Sequence, residues 1–462
     1  MYDHKSITDP VYGYVGLSEL EADIVSTSTF QRLHNVRQLG LAHLVFPSAG
    51  YSRFSHSVGA CHTAGRILDG IANNAQASAV KGKKRQLYRL AALLHDIGHY
   101  PFSHATEESV LDYYVGESVL DISGESESSD GKTGLHHEEV GRLIISQDPE
   151  IQAVLKKHGY KSEDLLTIFS KTKPDVLFGI ISSDLDCDRL DYLRRSAHAC
   201  GVPYGEVDVD FIISKATVDQ DGILCFQEKA AIAIDHFLVS RFYDYMQVVF
   251  HKTVVGLEWS LQECISALLK RGELDLSSSS IETRLLDRSW YTIDDNFLLG
   301  EFRRALTILE SSSDAGVICD HLKAVLLRRP AKLVFQWEAL LDKEDDRAKR
   351  KGRIIKGEVK RIADKLSLDE KRFKIIERKP FPFSTSLPRQ AEGMSYGEQA
   401  RSVSVLEKGK RKSTLLSDLP STLISSLFEH RKFSLRVMYL PQSGEDKTIR
   451  DNIRREFAAL DL

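Results

Sequence analysis

Apolar positions recur along this chain mostly at helical spacing, in runs separated by polar and glycine-rich breaks. A turn-rich start with Pro10, Gly13 and Gly16 leads into a helix from Glu19, and the pattern predicts a second helix over Phe30 to Leu39. Ala49 to Ser52 reads as loop, after which RFSHSVG opens a helix that continues through CHTAGRILDGIA. Ala77 to Arg85 is a small polar linker. Leu90 to Leu94 then offer nothing that wants water, and Gly98 and Pro101 break the helix they begin. Residues 115–135 are rich in Gly, Ser and acids and read as a mobile loop. A helix opens at His136, another covers Ser182 to Val202, and Ala230 to Lys270 reads as long helices. After a polar break at Ser277 to Ser280, helices run to about Arg329, and Phe373 to Arg378 and Ser402 to Glu407 have strand character. The expectation is a mainly α fold, with a helical core over 1–270 and a smaller α/β lobe within 271–462.

Composition narrows the class. The chain has 462 residues, 42% hydrophobic and 28% charged, with a formal charge of −4. That is enough for a large core and about two or three domains, and no global basic excess argues for nucleic acid. No apolar run approaches the roughly 18 residues of a membrane helix, and MYDHKSITDP lacks the regions of a signal peptide. Six scattered cysteines without a CxxC pair read as reduced thiols in a cytoplasmic protein. Ala348 to Lys371 is dense in Lys and Arg, and a solvated helix face is favoured over a nucleic-acid patch.

The chemistry concentrates where the apolar run breaks. His95, Asp96, His99 and His104 crowd into LLHDIGHYPFSH. Burying an unpaired Asp is costly, and a transition metal would remove that cost with imidazole and carboxylate ligands. A core helix ending in a hydrogen-bonded His/Asp cap is the other reading. His56 stands near a helix start beside Arg53. His104 and Glu107 fall at i, i+3 on one helical face, so the carboxylate can orient the imidazole for proton transfer; a surface ion pair is the alternative. Asp184, Asp188 and Asp191 fall at i, i+4 and i+7 of one helix among Leu185, Leu190 and Leu193.

HDIGHYPFSH, FQRLHNVRQLG, RFSHSVG and LDCDRLDY together resemble the signature blocks of the HD-domain phosphohydrolases, in particular their deoxynucleoside triphosphate triphosphohydrolase branch. The resemblance implies a helical HD core and a metal site of His56, His95, Asp96 and Asp188. It implies one divalent ion (Mn, Fe, Ni, Zn or Mg), with room for a second Mg or Mn among substrate phosphates. It places Arg53, Arg189 and Arg241 on phosphates, Gln38 on the sugar 3′-hydroxyl and Tyr192 under the sugar. His104, oriented by Glu107, would protonate the leaving oxygen, with His99 and His137 facing the phosphates. STLLSDLPSTLISSLFEHRKFSLRVMYLP resembles the family's C-terminal lobe, a strand, a short helix and a strand ending RVMY.

The chain departs from the branch at Ser26 and His34, where allosterically controlled relatives carry an Asp and an Arg that read a guanine activator. It departs again at Ser196, where the branch usually has an Asp on the 3′-hydroxyl, and at Val249, where one member of the branch has an active-site Tyr. The implied partners are a nucleotide substrate and further copies of the chain. An HD-type nuclease, a hydrolase of another nucleotide and a nucleotide-binding regulator are the rival readings.

Overall fold

The computed structural model describes residues 4–75, 81–115, 133–170, 175, 177–311, 316–342, 345–382, 402–427 and 430–460. Most of the loop expected at 115–135 lies outside them. The fold is mainly helical, as the hydrophobic periodicity implies. Contacts divide the chain into two compact units. One comprises Met1–Met246, Asp275–Asp295 and Ser384–Ser426, and the other Gln247–Leu274, Asn296–Phe383 and Leu427–Leu462. The chain thus passes between units more than once, where the sequence suggested one cut near residue 270. Residues 275–295 return to the first unit because Asp275 binds the Tyr114 hydroxyl at 3.0 Å and Asp295 accepts the Phe102 N–H at 2.7 Å.

The first unit opens with an antiparallel hairpin, β1 (Lys5–Asp9) and β2 (Gly13–Leu17), where the sequence suggested only turns. Helices α1 (Glu19–Val25) and α2 (Ser28–Gln31) follow. The helix expected over Phe30 to Leu39 stops short: a 3-10 turn covers Arg32–Asn35 and Val36 is extended. Val36 is drawn out because its carbonyl accepts the Arg53 N–H at 2.8 Å, next to an antiparallel bridge between Arg37 and Ser52. That bridge sets the start of α3 (Arg53–Ala75), which packs against α4 (Gly82–Leu94). Leu90 to Leu94 are fully buried there, as their composition demands. Helices α5 (His104–Val115), α6 (His137–Gln147), α7 (Pro149–Lys157), α8 (Ser162–Ile168) and α9 (Cys187–Cys200) continue the core, with α9 packed on α3. Helix α9 begins later than the sequence suggests. Asp186 caps it by accepting the Arg189 N–H at 2.8 Å, so Asp184 lies in the turn before the helix and not on one stripe with Asp188 and Asp191. The unit also holds α10 (Val209–Ser214), β3 (Ala216–Val218), β4 (Leu224–Gln227) and α11 (Ala231–Asp244).

The second unit contains α12 (Lys252–Lys270) and, after α13 (Ser278–Leu286) of the first unit, most of α14 (Asp295–Glu310) and all of α15 (Val317–Leu326). Its sheet has the order β5 (Lys332–Asp342), β9 (His430–Tyr439), β6 (Phe373–Pro382), all antiparallel. The basic segment forms α16 (Arg347–Lys365), whose Ile355, Val359 and Ile362 pack on Leu435 and Val437. Lys349, Arg353, Lys356 and Lys360 face outward, the solvated face expected from the charge pattern. The strand expected at Ser402 to Glu407 is β7 (Ser404–Leu406), which joins β3, β4 and β8 (Thr414–Leu415) in the first unit. The last helices are α17 (Leu423–Leu427) and α18 (Lys447–Ala458). Among the described residues no helix is long and apolar enough to cross a membrane.

One close approach ties α6 to the broken end of α4. A Cβ added at Gly98 would lie 2.1 Å from the His137 carbonyl and 2.2 Å from the Gly141 nitrogen, both backbone atoms. Gly98→Ala is therefore expected to destabilise the protein by about 1–3 kcal/mol through overpacking. Gly300, within α14, has nothing within 4 Å of its added Cβ, and Gly300→Ala is expected to stabilise by up to about 1 kcal/mol. Thermal unfolding of both variants checks the contrast. A Gly98→Ala protein that melts at or above the wild type would contradict this packing.

Candidate metal centre

Helix α3 brings His56 to the end of α4, where His95 and Asp96 leave the helix, and α9 brings Asp188 from the other side. His56 Nε2 lies 3.3 Å from His95 Nε2, 3.0 Å from Asp188 Oδ1 and 3.5 Å from Asp96 Oδ2. His95 Nε2 lies 3.3 Å from Asp96 Oδ1 and 3.8 Å from Asp188 Oδ1. His56, His95 and Asp188 offer donor atoms within 4.8 Å of one another, and Asp96 approaches the two imidazoles through different oxygens. His56 is fully buried, and Asp188 keeps a partly exposed side chain.

The donor set fits a divalent cation. His56 Nδ1 is 2.7 Å from Asp191 Oδ2, and His95 Nδ1 is 2.8 Å from the Ala92 carbonyl. Each Nδ1–H thus has an acceptor, which leaves both Nε2 lone pairs aimed at each other between two carboxylates. Ligands bonded at about 2.1 Å to one ion stand roughly 3.0–3.4 Å apart, the range of most of these separations. Without an ion, protons must take its place. Burial opposes charge on His56, yet its bonds to Asp188 and Asp191 and the charge of Asp96 push its pKa up to about 10. Burial likewise opposes charge on His95, and Asp96 and Asp188 raise it.

A second cluster adjoins the first. His104 Nδ1 is 3.0 Å from Glu107 Oε2, and His137 Nδ1 is 2.8 Å from Glu107 Oε1, so the i, i+3 pairing expected on α5 is formed. His136, the neighbour of His137, approaches Glu107 at 3.4 Å. Burial alone would raise Glu107, but its bonds to His104, His136 and His137 hold it far below the usual carboxylate range. His99 joins the two clusters: its Nε2 is 3.2 Å from Asp96 Oδ1, and its ring stacks on His137 with centroids 3.9 Å apart. Burial and the charge of Arg53 hold His99 neutral, and its buried Nδ1 has no hydrogen-bond partner. His99, His104, Glu107 and His137 offer donor atoms within 4.8 Å of one another.

Of the residues expected on substrate, Arg53 opens α3, Arg189 and Tyr192 lie on α9, Arg241 on α11, and Gln38 in the segment before α3. Arg53 pairs with Asp96 and donates to Ser103 Oγ at 2.8 Å, so it is tied into the metal centre itself. Arg189 folds back on Asp186 and on the Ser183 carbonyl, and Arg241 donates to Asp184 at 3.1 Å. Tyr192 lies in the electrostatic field of both Arg189 and Arg241. Gln38 is half-buried, with Oε1 lacking a partner. Ser196, the departure from the branch, is buried with its hydroxyl 2.8 Å from that of Tyr51.

Sequence reasoning missed the supports of the turn between His99 and His104. Phe102 and Ser103 have φ of 54° and 59°, a conformation that costs non-glycine residues about 1–3 kcal/mol each. Asp295 holds the Phe102 N–H, and Arg32 donates to the His99 carbonyl at 2.5 Å and to Ile293 at 2.6 Å. Nothing local in the sequence marks Arg32 or Asp295, whose partners are remote.

Residues 53–193, the segment from Arg53 through α9, match the model of the HD domain. That segment is similar to HD domains. The chain resembles the HD phosphohydrolases, and among them their SAMHD1 branch. It is 34% identical over 266 residues to an uncharacterised protein of Bacillus subtilis, covering 55% of this chain and 54% of the relative. It is 28% identical over 275 residues to the deoxynucleoside triphosphate triphosphohydrolase SAMHD1 homolog of Dictyostelium discoideum, covering 57% of this chain and 49% of that protein. The alignments thus span about half the length of these curated relatives. A crystal structure of a hypothetical protein from Aquifex aeolicus superposes with a TM-score of 0.69 at 27% identity, covering 98% of this chain and 99% of the other.

Because His56 is raised to about 10 in the ion-free centre, metal binding at neutral pH must release its proton. Mn²⁺ affinity is therefore expected to rise about tenfold per pH unit between roughly pH 7 and 9. Titration calorimetry in buffers of different ionisation enthalpy would show the released proton. A flat profile would mean that the Nε2 atoms are not ligands.

Proposed function

We propose that this protein hydrolyses deoxynucleoside triphosphates to deoxynucleoside and inorganic triphosphate, using His56, His95, Asp96 and Asp188 to hold one divalent ion. The observation that carries the reading is the continuity of the two clusters through His99, which touches Asp96 on one side and His137 on the other. A centre able to activate water therefore adjoins a set of imidazoles suited to phosphate and leaving group.

When bound, a divalent ion supplies positive charge that makes water acidic and polarises a phosphoryl group. The protein's own residues do the rest. Arg189 and Arg241 lie beside Tyr192 and stabilise charge on the phosphate chain. His99 and His137 present their rings to the same phosphates. His104 is committed at Nδ1 to Glu107 and has a side chain 64% exposed, which leaves Nε2 free to reach a leaving oxygen. In this scheme water attacks the α-phosphorus and the bond to the 5′ oxygen breaks. His104 delivers its proton to that oxygen. Gln38 and Tyr192 receive the sugar.

Ser196 favours one alternative. Its hydroxyl is engaged by Tyr51, so the carboxylate that the branch places there is replaced by a small neutral group. An HD hydrolase acting on another nucleotide, or on nucleic-acid ends, would have less need of it.

The test is product analysis of purified protein with Mn²⁺ on four dNTPs, four NTPs and a short single-stranded DNA, with Asp96→Ala as control. Deoxynucleoside plus triphosphate, absent in the control, is the expected result. Mononucleotides released from DNA with dNTPs untouched would overturn the reading. His104→Asn is expected to lower kcat by about 10²–10⁴-fold, the usual worth of a general acid, with metal content unchanged.

A further inference from the structure

We infer that Asp191, Arg195 and Asp9 form a buried relay that positions His56, making the N-terminal hairpin part of the metal centre. The inference rests on the reading of His56 as a metal ligand and extends it to residues outside that ligand set.

The chain of contacts is continuous. His56 Nδ1 donates to Asp191 Oδ2 at 2.7 Å. Arg195 grips both oxygens of the same carboxylate, through Nε to Oδ2 at 2.9 Å and Nη2 to Oδ1 at 2.8 Å. The remaining end of the guanidinium, Nη1, donates to Asp9 Oδ2 at 2.8 Å. Asp9 closes β1, and its other oxygen accepts the Val11 and Tyr12 N–H groups at 2.8 and 3.1 Å, fixing the hairpin turn. His56, Asp191, Arg195 and Asp9 are at most 4% exposed.

Physical chemistry assigns each member a task. A metal-ligating imidazole needs one tautomer and one ring orientation, and a carboxylate on its far nitrogen sets both. Asp191 does this for His56: with Nδ1–H held, the Nε2 lone pair is directed at His95, Asp96 and Asp188. A buried carboxylate with a single imidazole partner would rotate between its acceptors. The two-pronged grip of Arg195 removes that freedom. Asp9 in turn neutralises and aims the guanidinium. Breaking such a buried network strands a charge, so each link depends on the next.

Helix α3 is shaped around the relay. Gly59 lies one turn after His56, and a Cβ there would stand 1.9 Å from Asp191 Oδ1 and 2.3 Å from Arg195 Nη2. Any side chain at 59 would displace the pair that orients His56. None of Gly59, Arg195 and Asp9 reaches the cluster of His99, His104, Glu107 and His137 through any of these bonds, so the relay acts on the metal ligand alone.

The experiment uses the full chain with Co²⁺, measuring affinity by chelator competition and the visible d–d bands, with far-UV circular dichroism as the folding check. Asp191→Asn is expected to weaken Co²⁺ binding by about 10–100-fold and to shift the bands. Asp9→Asn, which touches no ligand, is expected to weaken binding by about tenfold with the same band shift, and Gly59→Ala to do likewise. A hairpin with a merely structural role would lower the melting temperature of Asp9→Asn while leaving affinity and bands as in the wild type, and that result overturns the inference. Should Asp191→Asn fail to fold, Asp9→Asn decides alone. Failure of the underlying reading looks different: wild-type protein that binds no Co²⁺, or Asp188→Asn protein that binds it as well as wild type.

Discussion

Two imidazole nitrogens face each other 3.3 Å apart, each with its opposite nitrogen already committed to an acceptor. The first unit is organised around that confrontation. Lone pairs aimed at each other between two carboxylates are unfavourable in a buried setting, and a cation turns the same arrangement into a set of ligands. Helices α3, α4 and α9 each deliver part of it, so the packing of the helical core and the electrostatics of the centre are one problem. The small residues on α3 and the exposed edge left at Asp188 follow from it: the helices must come close, and one side must stay open to solvent.

The second constraint is the turn that follows α4. Asp96 and His99 precede it and His104 ends it, so its shape sets the distance between the two clusters. That shape requires left-handed backbone at Phe102 and Ser103, which local preference opposes. Remote groups hold it in place, with Asp295 on the Phe102 N–H, Arg32 on the His99 carbonyl and Arg53 on Ser103. Strain of this kind is commonly found where geometry serves chemistry more than stability.

Much of this was legible in the sequence because it is local. The burial of Leu90 to Leu94 and the pairing of His104 with Glu107 follow from short-range rules, whereas the helix ends at Leu94, before the Gly98 at which the sequence suggested its break. The strand ending at Leu406 and the solvated basic face of α16 follow in the same way, while the strand ending at Tyr439 came from the family resemblance. Other features were not legible because their causes are remote. Val36 leaves helical geometry for a bridge with the start of α3, and Asp184 drops off α9 because Asp186 is the better cap. The hairpin at Lys5–Leu17 looked like turns because its strands are short, β2 carries two glycines and Pro10 stands between the strands. The four candidate ligands come from three separate stretches of sequence, and family resemblance, not spacing, joined His56 and Asp188 to His95 and Asp96.

The account turns on where a divalent ion binds, and among the described residues the His56 and His99 clusters are neighbouring candidates for it. The most direct measurement is anomalous diffraction at the manganese edge from crystals grown with Mn²⁺ and no nucleotide. The account predicts a peak within bonding distance of His56 Nε2, His95 Nε2, Asp96 and Asp188. A peak confined to His99, His104, Glu107 and His137, with none between the facing histidines, would contradict it.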